Sequence, residues 1–116
     1  MIYLDNAATT KPCPAAVAAM TEALTEIWGN PSAVHGLGLR AEQAVKRARA
    51  QVAEAMGCPP EQVCFTGGGT EGDNFAFFTT ARRHGKRGRH IITSAVEHHA
   101  VLNPARALEE QGFQVT

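Results

Sequence analysis

Three consecutive glycines, Gly67-Gly68-Gly69, stand between the apolar run Val63-Cys64-Phe65 and a polar segment, Thr70-Glu71-Gly72-Asp73-Asn74. An apolar run that breaks into glycine and resumes as a helix predicts a strand, a turn and a helix in succession. Such a turn lets backbone N–H groups converge on an anion, and the helix N-terminus adds its positive dipole end. The Thr70 hydroxyl follows the glycines where it can donate a further hydrogen bond to a phosphate oxygen. The pattern predicts a phosphate cradle.

The residues alone leave open whose phosphate it holds. Gly67, Gly69 and Gly72 satisfy G-x-G-x-x-G, the dinucleotide fingerprint, and Glu97 follows the next apolar run, where a ribose-binding acid can sit. That acid lies further along than the pattern prefers. Glu71-Gly72-Asp73-Asn74 also occupies positions where a dinucleotide-binding helix packs small apolar residues. No Gly-Lys-Ser/Thr follows, which excludes a P-loop. A plain flexible turn explains the same glycines.

At 116 residues the chain is long enough for one domain, and 44% hydrophobic with 19% charged residues is the composition of a soluble globular protein rather than a disordered one. Eleven basic and eleven acidic residues cancel, so no global field draws the chain to nucleic acid or anionic lipid. The one basic cluster, Arg82 to His90, is broken by glycines and lacks interleaved aromatics, and reads as a solvated helix end and loop. Cys13, Cys58 and Cys64 form no C-x-x-C pair, which argues against a disulfide framework or a metal site. Each reads as a small apolar residue in a reducing, cytoplasmic compartment. The N-terminus lacks the basic lead and apolar core of a signal peptide, and no stretch reaches membrane-spanning length.

Along the chain, Ile2-Tyr3-Leu4 reads as extended and ends in the polar turn Asp5 to Thr10. Pro14 is placed for the first turn of a helix whose apolar stripe is Val17, Met20, Leu24 and Ile27, stopped by Gly29-Asn30-Pro31. After the loop to Gly38, a long helix is predicted to bury Ala41, Ala44, Val45, Ala48, Val52, Ala55 and Met56. Gly57 caps it and Pro59-Pro60 forbids continuation. A strand is predicted over 62–66, then a helix bearing Phe75 and Phe78. A buried strand follows over 90–94, a helix from about His99 to Gln111, and a last strand from Phe113. This is an α/β pattern with parallel pairing, in which ligands bind outside the carboxyl ends of the strands. Thr66 to Thr70 and Ser94 to His98 are those ends. Three strands with open edges, the last barely begun at Thr116, predict the first part of something larger.

Taken in order, these motifs resemble the amino-terminal portion of the cysteine desulfurases, pyridoxal-phosphate enzymes of the class V aminotransferase family. The resemblance covers essentially the whole chain. It rests on Tyr3 to Thr10, on Gly29-Asn30-Pro31-Ser32 with His35, on Phe65 to Asn74, and on Ile91-Ile92-Thr93-Ser94 followed by Glu97-His98. It implies a partial aminotransferase-type large domain with a parallel-rich sheet and flanking helices, preceded by an N-terminal helical segment. Residues 1–35 are then that segment, with its active-site loop. Residues 36–116 are the first part of the cofactor-binding α/β domain, truncated at its C-terminal end.

By the same resemblance the phosphate is that of pyridoxal 5'-phosphate, held by Gly69 and Thr70. His98 matches the histidine that stacks on the pyridine ring and assists proton transfer, and Asn6 and His35 lie on substrate-side loops. His99 matches no functional position. No metal is implied. The family converts L-cysteine to L-alanine and passes the sulfur to an enzyme cysteine as a persulfide, then to an acceptor protein such as an iron-sulfur scaffold. Its active sites are completed across a homodimer.

Gly68-Gly69 and Gly72 depart mildly from the usual small residues of the motif. The Schiff-base lysine, the pyridinium-pairing aspartate and the nucleophilic cysteine of the family match nothing here, so the chain alone is expected to be inactive. A selenocysteine lyase or other class V enzyme shares this region. A non-catalytic phosphate binder, a relic of a decayed gene or a dinucleotide-binding half-domain are the readings from other classes.

Overall fold

The computed structural model describes residues 2–116, which divide into two compact units with the boundary between Val63 and Cys64. In the first, the chain turns at Asp5, whose carbonyl accepts the Ala8 N–H at 3.2 Å. The Tyr3 hydroxyl lies 2.7 Å from Thr9 Oγ1 and donates to the Asp5 carbonyl at 3.0 Å, pinning the same turn. The preceding residues form no strand. Helix α1, Pro14–Thr25, begins at a proline whose missing N–H is one the first turn leaves unpaired anyway. It ends four residues before Gly29. None of its residues is buried, and Leu24 is 75% exposed, so the predicted stripe has no cover among the described residues.

Helix α2, Gly36–Met56, starts where the chain from Asn30 folds back on it. Gly38 is required there, because a Cβ would stand 2.2 Å from the Ala33 carbonyl oxygen. At the other end Gly57 adopts φ +66°, its N–H bonding to the Glu54 carbonyl while Cys58 N–H bonds to that of Ala53. This double closure satisfies two of the carbonyls a helix end leaves open. Only Gly38, Ala41 and Ala53 of α2 are buried, and Val45, Ala48, Val52, Ala55 and Met56 are exposed. The predicted apolar face is therefore largely uncovered. Arg49 reaches back from the helix to the Val63 carbonyl.

A 3-10 turn, Pro60–Gln62, stands where the strand over 62–66 was predicted to begin, and residues 63–66 stay outside the sheet. Strand formation needs a ladder partner. Apolar sequence supplies only the propensity. Cys64 is correspondingly exposed rather than buried.

In the second unit come α3 (Gly69–His84), β1 (His90–Ile91), α4 (His99–Glu110) and β2 (Gln114–Val115). The strands pair in parallel, His90 opposite Gln114 and Ile91 opposite Val115, across the α4 crossover. The ladder continues outward through Gln114 N–H to the Arg89 carbonyl at 2.7 Å and Thr93 N–H to that of Thr116 at 2.9 Å. The buried strand predicted over 90–94 is thus two residues long, and Ile92 is 76% exposed. A two-stranded sheet has too little surface to cover both faces of that run.

Helix α4 packs on α3 and β2, and the core of the unit is small: Ala81, Ala100, Pro104, Ala105 and Leu108. Gly112 closes α4 as Gly57 closes α2, with φ +85° and Phe113 N–H returning to the Leu108 carbonyl at 3.0 Å. Arg89 lies over the Phe113 ring at 4.7 Å, so one member of the basic cluster does a packing job. The architecture is α/β with a short parallel sheet and flanking helices, as the pattern predicts.

A Cβ at Gly57 would meet nothing within 4 Å, so Gly57→Ala isolates the left-handed backbone cost. It is expected to destabilise the chain by about 1 kcal/mol, read as a lower midpoint in urea unfolding followed by circular dichroism.

Candidate functional site

The glycine turn feeds directly into α3. Gly68 is the N-cap residue and supplies no side-chain cap, so the N–H groups of Gly69, Thr70 and Glu71 start the helix without an intrahelical acceptor. The first helical bond is Gly72 N–H to the Gly68 carbonyl at 3.1 Å. Thr66 Oγ1 donates to that same carbonyl at 3.1 Å. The Glu71 carboxylate swings back to accept the Gly67 N–H at 2.6 Å. Asn74 Nδ2 donates to the Thr70 carbonyl at 2.7 Å, one turn on.

Gly67, Gly68, Gly69, Thr70, Glu71 and Asn74 line one open concavity. Gly68 is extended, a conformation any residue adopts, and neither it nor Gly69 has a neighbour within 4 Å of a built Cβ. Their lack of side chains keeps that space clear. The concavity thus presents backbone donors, a threonine hydroxyl and a dipole end, which is the chemistry of a phosphate monoester site.

Gly69 and Thr70 both line this concavity. His98 is not among the residues lining their concavity. It is the N-cap of α4, and its Nδ1 accepts the Ala100 N–H at 3.1 Å. A nitrogen that accepts is unprotonated, so the neutral ring carries its proton on Nε2. His35, in the first unit, does the same for α2, Nδ1 accepting the Gly38 N–H at 3.2 Å. Asn6 lies in the Asp5 turn, its amide 3.5 Å from the Tyr3 carbonyl and its own carbonyl taking the Thr10 hydroxyl at 3.1 Å. Each of these residues has a local structural task as well as its implied functional one.

Sequence reading assigned no role to Glu71 or Asn74, although both sit in the quoted motif. Glutamate as third residue of a helix that lacks a capping side chain was the available signal. Among the described residues no three His, Cys, Asp or Glu side chains are grouped to hold a metal, and no helix is long and apolar enough to cross a membrane.

The sequence profile of the class-V aminotransferases matches residues 2–116. The chain belongs to that family. It is 44% identical over 115 residues to the cysteine desulfurase IscS of Methanosarcina thermophila, covering 99% of this chain and 28% of that one. A solved NifS-like protein superimposes with a TM-score of 0.89 at 37% identity, covering 99% of this chain and 32% of the other. The structure described as SspA in complex with cysteine gives 0.85 at 36% identity, covering 98% and 33%. The chain therefore spans about 30% of the length of the relatives it matches. The shared fold is that of the NifS-like class-V aminotransferases, and the α/β architecture inferred from the sequence agrees with it.

His98→Ala removes the α4 cap and is expected to cost about 1 kcal/mol, whereas His98→Asn, with a side-chain oxygen in place of Nδ1, retains most of it. Thermal unfolding of the two variants checks this. Equal midpoints would remove the capping role.

Proposed function

We propose that these residues form the cofactor-phosphate anchor of a pyridoxal-phosphate-dependent cysteine desulfurase. The observation that carries the reading is the uncapped start of α3, where three N–H groups without an intrahelical acceptor and Thr70 border a concavity kept clear by Gly68 and Gly69. The donor set fits a phosphate monoester. When bound, pyridoxal phosphate supplies an electron-withdrawing ring that stabilises negative charge at the α-carbon of an amino acid. Gly69 and Thr70 hold its phosphate. His98 offers its ring face for stacking and, through Nε2, a site for proton exchange, while the Ala100 N–H keeps Nδ1 occupied. Asn6 and His35 belong to the substrate-side loops.

The names of the relatives favour L-cysteine as the substrate: one is a cysteine desulfurase, and another was solved in complex with cysteine. In this reading sulfur leaves cysteine for an enzyme thiolate, forming a persulfide, and alanine departs. An acceptor protein, such as an iron-sulfur scaffold, takes the sulfur onward. The complete enzyme works as a homodimer in the cytoplasm.

The lysine that holds the cofactor aldehyde and the nucleophilic cysteine are assigned to residues outside these 116. Lys86 follows the far end of α3, whose sixteen residues span roughly 24 Å from the cradle. Residues 1–35 serve as the N-terminal segment and 36–116 as the opening part of the cofactor-binding domain.

Thr70→Val keeps the shape and removes the hydroxyl. It is expected to weaken binding of pyridoxal phosphate by about tenfold, the scale of a hydrogen bond to a charged group. Equilibrium dialysis with inorganic phosphate as competitor measures it, and an unchanged affinity would sink the anchor. The 116-residue chain, given cofactor and cysteine, is expected to release no alanine. Cofactor-dependent release would show that the catalytic groups lie within it.

A further inference from the structure

We propose that Glu71 is the positioning residue of this cradle, its carboxylate clamping the Gly67 N–H so that the turn presents the N–H groups of Gly69 and Thr70. The inference rests on the phosphate reading above and names what shapes that site.

Glu71 is the third residue of α3, and Gly68 gives the helix no capping side chain. In the usual capping box the glutamate at this position reaches the N–H of the N-cap residue itself. Here it reaches one residue further back, to Gly67, at 2.6 Å, at the short end for an N–H donor, with a charged carboxylate as acceptor. The glycine leaves room for this reach: a Cβ at 67 would stand 3.1 Å from Glu71 Oε2, close enough that the carboxylate would have to shift. From the other side, Thr66 Oγ1 donates to the Gly68 carbonyl, which also accepts the Gly72 N–H. The Gly67 N–H and the Gly68 carbonyl are thus both spent inside the turn. Gly68, Gly69 and Thr70 lie between Gly67 and Glu71, and the donors left over are those at the start of the helix.

The carboxylate acts in two opposing ways. As an acceptor it orders the glycines, which otherwise sample a wide range of backbone conformations. As a charge beside the site it repels a phosphate, although its exposure lets solvent and salt screen that repulsion. Ordering needs an acceptor oxygen but not a negative charge. Glutamine keeps the oxygen and drops the charge, whereas alanine loses both, so the two substitutions separate the effects.

Wild-type protein, Glu71→Gln and Glu71→Ala are titrated with pyridoxal phosphate and with inorganic phosphate, and Gly67 amide exchange is followed by NMR, with circular dichroism confirming that each variant folds. Glu71→Ala is expected to lose about tenfold in affinity for both ligands together with the protection of the Gly67 amide. Glu71→Gln is expected to keep that protection and bind at least as tightly as wild type. The proposal is overturned if Glu71→Ala binds like wild type, if Glu71→Gln is as weak as Glu71→Ala, or if the Gly67 amide is indifferent to all three side chains. Wild-type protein that binds neither ligand overturns the phosphate reading and the cradle role of Glu71 with it. The Gly67 amide then still reports whether the clamp exists.

Discussion

An α-helix cannot pair the N–H groups of its first turn or the carbonyls of its last, and much of this structure answers that constraint. Helices α2 and α4 are closed at both ends, by a histidine Nδ1 at the start and a left-handed glycine after the finish. Helix α1 begins with a proline that has no N–H to satisfy. Helix α3 alone begins on glycine with neither device. The two histidines each accept one first-turn N–H and the proline removes one, whereas the first turn of α3 keeps its donors open beside Thr70.

That contrast ties the fold to the family relationship. Relatives named cysteine desulfurase share this stretch at 44–48% identity, and the solved NifS-like relative follows the same path. Capping by His35 and His98 occupies Nδ1 alone and leaves the ring face and Nε2 uncommitted to the helix start.

Helix ends were legible in the sequence because their signals are local. Pro14, Gly57 and Gly112 state their roles within a few residues, and each is found where the chain turns or stops. The glycine turn into α3 was legible for the same reason. Strands were not, since pairing is decided by distant partners: the 62–66 run looks like a strand and pairs with nothing in the two-stranded sheet, and the 90–94 run keeps two residues of it. The stripe of α1 and most of the α2 face are real periodicities, but burial needs a covering surface that periodicity cannot supply. Histidine capping escaped notice because histidine is not among the favoured N-cap residues. The Glu71 reach was hidden by its unusual target, one residue beyond the expected N–H.

The basic residues after the cradle helix form a second response to the same dipole. Arg82, Arg83 and His84 fill the last turn of α3, where positive charge is favoured, while Glu71 occupies its first turn, where negative charge is. A methyl group at 67 would stand 3.1 Å from the very oxygen that Glu71 uses. A side chain at 67 therefore asks the Glu71 carboxylate to shift by a few tenths of an ångström, so the clamp and the glycine share one small volume.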